Sequence, residues 1–131
     1  MEELKQYTEF QVNNSPSVYG AFTSMGAFMY FIFEYQWLAV IFSWLVIVSI
    51  SYSEKPFRFI LLHNKLKLIL FYSLMSISLM SPVLVVNLGG ALNEFIGMML
   101  IPIGGLITAA FAYLIYDEKT LKENGWVAKN N

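Results

Sequence analysis

The sequence predicts an all-α fold, an integral membrane helical bundle with three to four transmembrane helices. Three observations carry the prediction. Hydrophobic residues make up 57% of the 131 residues and charged residues 13%, whereas a soluble domain carries about 25% charged side chains to coat its surface. The apolar residues gather in three blocks, 20–53, 66–88 and 95–116, rather than alternating with polar ones, which is the pattern of a polytopic membrane protein. Apart from Lys5, every Lys and Arg sits between the first two blocks, at the very start of the second, or after the third.

Residues 1–17, MEELKQYTEFQVNNSPS, read as a polar N-terminal tail. They lack the basic start and short apolar core of a cleaved signal peptide. Within them, Asn13-Asn14-Ser15-Pro16 reads as a loop leading into the first block.

About 20 helical residues span the hydrocarbon core of a bilayer, so the first block is too long for one crossing and barely long enough for two. It contains one carboxylate, Glu34. In a single long helix Glu34 would lie near mid-membrane, where a charge costs several kcal/mol. In a hairpin, Glu34-Tyr35-Gln36-Trp37 would turn at the outer interface, and its composition suits that level. The cost of desolvating an unpaired carboxylate favours the hairpin, with spans at about 18–33 and 37–53. The halves are short, and no Gly, Pro or Asn marks the bend. A third arrangement lays the first half in the interface. Gly20, Ser24 and Ala27 form a stripe of small residues that Glu34 continues at helical spacing.

The connector SEKPFRFILLHNKLK opens the next helical unit, with Ser53 as a cap and Pro56 in its first turn. Phe57, Ile60 and Leu61 share one face, as expected of an interfacial helix. Its cations Lys55, Arg58, Lys65 and Lys67 suit lipid head groups. His63 reads as a solvent-facing imidazole.

The second block gives a span at about 66–88. Ser73, Ser76, Ser78 and Ser81 fall on more than one face, and Pro82 kinks the helix. These serines either bond locally or, together with Glu34, line an ion or polar pathway. The third block gives a span at about 95–116. Gly97, Gly104, Gly105, Thr108, Ala109 and Ala112 form a helix-packing seam where a neighbour can approach closely. Residues 117–131 form a polar tail. The distribution of Lys and Arg places it, with the connector, on the cytoplasmic side of the cell inner (plasma) membrane.

Two stretches resemble the Bax-inhibitor-type multipass membrane family: Val18-Tyr19-Gly20, and AFAYLIYDEKTLKENG at 110–125. The resemblance covers the part of that family before its last helices and implies four spans. The family's acidic pair lies in its final helices, for which this chain has no room, so no functional residue is carried over.

Function is bounded mostly by exclusion. Cysteine is absent and His63 is the single histidine, so neither a thiolate nucleophile nor a usual metal site can be assembled. No catalytic constellation, phosphate loop or dinucleotide fingerprint occurs, and no cofactor is expected. The net charge of −1 gives no basic face for nucleic acid. The expected partners are membrane lipids and other membrane subunits or a second copy. The leading expectation is a non-enzymatic accessory or assembly subunit of a larger membrane complex. The alternatives are a small homo-oligomeric channel, transporter or holin-like pore, and a membrane immunity or inhibitor protein.

Overall fold

A computed structural model describes residues 6–32 and 36–129. The described elements are β1 (Gln6–Thr8), α1 (Glu9–Ile32), α2 (Gln36–Ser53), α3 (Lys55–His63), α4 (Lys65–Asn87), α5 (Ala91–Ile115), α6 (Glu118–Glu123) and β2 (Val127–Lys129). The molecule is an all-α bundle. Three of its helices, α2, α4 and the one beginning at Ala91, are long and apolar enough to cross a membrane. Their outer faces carry large apolar side chains, with Leu106 71% and Leu114 75% exposed. A surface of that kind is stable only against lipid or another protein.

The first helix begins earlier than the polar composition of residues 1–17 predicts. The Gln11 amide donates to Thr8 Oγ1 (3.1 Å) and the Thr8 amide to Gln11 Oε1 (3.0 Å). This reciprocal capping box satisfies two of the orphan donors at a helix start, and Glu9 places a negative charge in the first turn. The helix then runs through Asn13-Asn14-Ser15-Pro16. Asn14 does not turn the chain; its Nδ2 donates back to the Phe10 carbonyl (2.9 Å). From Phe10 to Ile32 the helix carries no charge.

α1 and α2 fold back on each other. A Cβ on Gly26 would meet Ser43 Cβ at 2.6 Å, and the rings of Tyr30 and Trp37 lie 5.3 Å apart. In one continuous helix Gly26 and Ser43 would be separated by about 25 Å. Glu34, on which the sequence argument turned, lies outside the described residues.

The two breaks around α3 have local causes. α2 continues through the Glu54 amide, which donates to the Ile50 carbonyl (3.1 Å). Glu54 then turns extended (φ −79°, ψ 103°) and Pro56 enters the first turn of α3. Ser53, expected to cap α3, instead ends α2; Glu54 holds the cap position without a side-chain cap bond. At the other end Asn64 is extended, and its Oδ1 accepts from the Leu66 amide (3.1 Å) to start α4. The α4–α5 connection uses Gly89 and Gly90 at φ +85° and +92°, a region that side chains with a Cβ avoid.

The helices make one bundle. α1 lies against α2, α4 and α5, and α4 against α5. The two strands join as a parallel pair, Gln6 opposite Val127 and Thr8 opposite Lys129. The first and last described elements therefore sit side by side at one end of the bundle. α1 runs from that end to the other, where Asn87 Nδ2 donates to the Tyr30 hydroxyl (3.3 Å).

Candidate functional site

The most concentrated polar chemistry among the described residues surrounds Glu54, where α2 gives way to α3. Its Oε1 accepts from the Ser15 hydroxyl (2.8 Å) and the Tyr116 hydroxyl (2.6 Å). Its Oε2 accepts from the Tyr19 hydroxyl. Ser15 and Tyr19 come one helical turn apart on α1, and Tyr116 follows directly after α5. One carboxylate thus ties three segments that are distant in sequence. Hydrogen bonds to a charged acceptor contribute about 1.5–3 kcal/mol each.

Aromatic rings form the floor under this clamp. Phe57 and Phe71 are buried, and Phe57 packs at 5.0 Å from Tyr19, 5.1 Å from Phe71 and 5.1 Å from Tyr116. Pro56 at the start of α3 sets the direction in which Phe57 points inward. Below the rings, Ser51 Oγ and the Tyr72 hydroxyl share a bond of 2.9 Å. The chemistry available is that of a fixed anion in a partly dry cup. It can organise donors and hold helix ends together.

A cap of short elements covers the same end. Leu121 and Trp126 are buried beside Tyr7, and the Trp126 ring lies 5.5 Å from Phe59 of α3. The Tyr7 hydroxyl donates to Glu118 Oε2 (3.1 Å). Burial first, and then this bond to a carboxylate, push the Tyr7 phenol up to about 12.

The small-residue seam of α5 is divided between two neighbours. A Cβ on Gly104 would meet the Ser78 carbonyl at 3.0 Å, and one on Gly97 the Pro82 carbonyl at 3.0 Å, both on α4. On the other side Gly105 faces α1, where a Cβ would meet the Gly20 carbonyl at 2.8 Å; a Cβ on Gly20 would meet Ala109 Cβ at 2.7 Å. Ser24 Oγ donates to the Ile101 carbonyl (2.9 Å) across the same crossing. Thr108 and Ala112 are buried in the bundle. Gly97, Gly104, Gly105 and Thr108 are therefore consumed within the chain, and a large residue at Gly105 would disturb the fold before it disturbed any partner.

The four serines of α4 do not converge. Ser76 Oγ donates to the Tyr72 carbonyl (2.7 Å) and accepts from Trp44 Nε1 (2.9 Å). Ser81 Oγ donates to the Ile77 carbonyl (2.5 Å). Ser78 is buried against Gly104, and Ser73 is exposed. A common polar lining is not formed, because Ser76 and Ser81 satisfy carbonyls of their own helix and Ser73 faces outward.

Lys55, Arg58, Lys65 and Lys67 stand on α3 and the first turn of α4, with Pro56, Phe57, Ile60 and Leu61 turned inward. His63 is exposed, as expected, and its ring also stacks on Phe59 at 5.5 Å. Among the described residues no group of three or more His, Cys, Asp or Glu is arranged to hold a metal ion.

Among the described residues, a lateral opening lies where α1 crosses α5. It is a groove of about 470 Å³ lined by Ser17, Ala21 and Ser24 on one wall and Pro102, Leu106 and Ala109 on the other, with Gly20 and Gly105 beneath. The Glu54 clamp was missed at the sequence level because its donors lie far apart in the chain. The signal that points to it is an acid and two tyrosines, Glu54, Tyr19 and Tyr116, each at the edge of an apolar block. Comparison with protein-family models, curated proteins and solved structures finds no match for this chain.

Proposed function

We propose that this chain is a four-pass, non-enzymatic subunit of a larger assembly in the cytoplasmic membrane, presenting the α1–α5 groove to a helix of its partner. The groove carries the reading. Its α1 wall is made of small residues and its α5 wall sets Pro102 and Ala109 beside Leu106, and it opens on the side of the bundle. Helix pairs in a bilayer associate where small side chains let backbones approach. The partner is therefore a transmembrane helix with its own small-residue face. The inward-turned seam supports the same choice, since it leaves Ala21, Leu106 and Ala109 at the rim for an outside helix.

The four-pass reading is supported by the pairing of β1 with β2, which brings the first and last described elements together, as an even number of crossings would. α1 supplies the fourth: it is uncharged from Phe10 onward and as long as the bundle. The excess of Lys and Arg on α3, α4 and the C-terminal segment assigns that side to the cytoplasm. Reporters fused at Met1 and at Asn131 are expected to give the same cytoplasmic signal; opposite signals would remove the four-pass reading.

The absence of cysteine makes site-specific crosslinking clean. Ala21→Cys and Leu106→Cys are expected to crosslink in native membranes to one discrete species. Ile69→Cys, on the outer face of α4 and 60% exposed, is expected to give none. Filling the groove with Ala21→Leu should abolish the product while leaving thermal stability within about 1 kcal/mol. Equal labelling at positions 21, 106 and 69 would show that lipid alone occupies the groove.

A further inference from the structure

We infer that Arg58, Lys65 and Lys67 form a binding site for the phosphate head groups of anionic phospholipids. The inference does not depend on the partner proposed above. It begins with position. α3 is interposed between α2 and α4, two helices apolar enough to cross a membrane, so it lies at the level where the bilayer meets water. Its inner face is closed by packing: Phe57, Ile60 and Leu61 are 0–1% exposed. Its outer face, continued into α4, combines the cations with Leu62 and Leu66, exposed at 53% and 63%. Exposed apolar side chains interspersed with cations along α3 and the first turn of α4 match the two layers of a phospholipid, the upper acyl chain and the phosphate.

Charge separation strengthens the case. From Lys55 to Asn93 the sequence holds no Asp or Glu. The acid at the α3 edge of this segment, Glu54, turns its carboxylate into the bundle, onto the hydroxyls of Ser15, Tyr19 and Tyr116. The negative end is thus directed inward and the positive side chains remain outside. α6, at the same end of the molecule, is different. Lys122 there lies 3.7 Å from Glu118, and Asp117, Glu118 and Glu123 offset its cations. A charged lipid has reason to gather at α3 and none to gather at α6. Arg58 is also ordered in advance: its guanidinium lies over the Tyr52 ring, 5.3 Å from the centroid. A stacked, planar guanidinium keeps its in-plane donors available for phosphate oxygens.

The test uses the full chain reconstituted in equimolar phosphatidylglycerol and phosphatidylcholine, with retained lipids counted by native mass spectrometry after gentle extraction. The wild type is expected to retain phosphatidylglycerol several-fold over phosphatidylcholine and to lose that preference in about 0.5 M salt. The triple variant Arg58→Gln, Lys65→Gln, Lys67→Gln should lower the preference at least about fivefold, the effect of roughly one basic side chain at a charged surface. The pair Lys119→Gln, Lys122→Gln should leave it unchanged. Equal retention of the two lipids by the wild type would overturn the inference, as would an unaltered preference in a folded triple variant or an equal loss in the α6 pair. If the triple variant fails to fold, the wild-type lipid ratio and its salt dependence decide.

Discussion

The two halves of the bundle are held by different physics. At the end where β1 and β2 pair, a carboxylate gathers three hydroxyls over a cluster of aromatic rings. In the opposite half, the second core cluster is Ala27, Tyr30, Val40, Leu79, Val83 and Ile101, and the helices meet through Gly26, Gly97 and Gly104. Its cross-helix polar contact at the far end is the 3.3 Å bond from Asn87 to Tyr30. Near the interface water can share in solvating a charge, so a carboxylate is tolerable and its bonds add stability. Deeper in the apolar layer the same charge would cost more than it returned, and close backbone approach takes its place. Gly20 stands where the regimes meet, one residue from Tyr19 of the clamp and against Gly105 and Ala109 of the seam.

That contrast can be broken at its junction first. Gly20→Leu should have the largest effect, because the new side chain would meet the Gly105 carbonyl and the α5 backbone, neither of which can rotate away. Loss of the folded bundle, or a destabilisation above about 3 kcal/mol, is expected from thermal melts in mild detergent. Glu54→Ala comes next. It strands three hydroxyls, two of them on buried tyrosines, and should cost about 2–4 kcal/mol by the same melts. Glu54→Gln keeps one acceptor oxygen and should fall between wild type and Ala. Tyr30→Phe, at the far end, removes one long bond and should change stability by less than about 1 kcal/mol; a loss as large as that of Glu54→Ala would erase the distinction between the halves.

The last expected effect, confined to alkaline pH and absent near neutrality, is a pH response of the cap. The Tyr7 phenol is held near 12 when folded and has its ordinary value near 10 when exposed. The folded state therefore keeps the proton that the unfolded state gives up. The stabilisation is complete below pH 10 and is lost as the pH rises from 10 towards 12. Trp126 fluorescence should report loosening of the cap across that range, and Tyr7→Phe should remove the part of the response that belongs to Tyr7.

Much of this architecture could be read from residue order, and the failures have specific causes. The apolar blocks, the Gly89-Gly90 turn and the separate α3 follow from hydropathy, glycine and proline, whose effects are local. The start of α1 was also written locally, as Thr8-Glu9-Phe10-Gln11, but the polar residues that follow masked it. Asn, Ser and Pro disfavour a helix in isolation, yet here Val12, Pro16 and Tyr19 are buried in the bundle, and packing overrides propensity. The seam on α5 was legible as small residues at helical spacing. Its division between α1 and α4 was not, because spacing along one helix does not name the neighbour. The Glu54 clamp depends on three segments meeting in space, and no periodicity encodes that.

The parallel pairing of Gln6–Thr8 with Val127–Lys129 has a consequence for biogenesis. During synthesis the first strand emerges without its mate and stays unmatched until every intervening helix has been made. The register therefore closes as a late, long-range step, and a chain interrupted before Val127 leaves a strand edge and the Tyr7 face uncovered. Such an uncovered end is the kind of feature by which quality-control proteases can tell an unfinished bundle from a finished one.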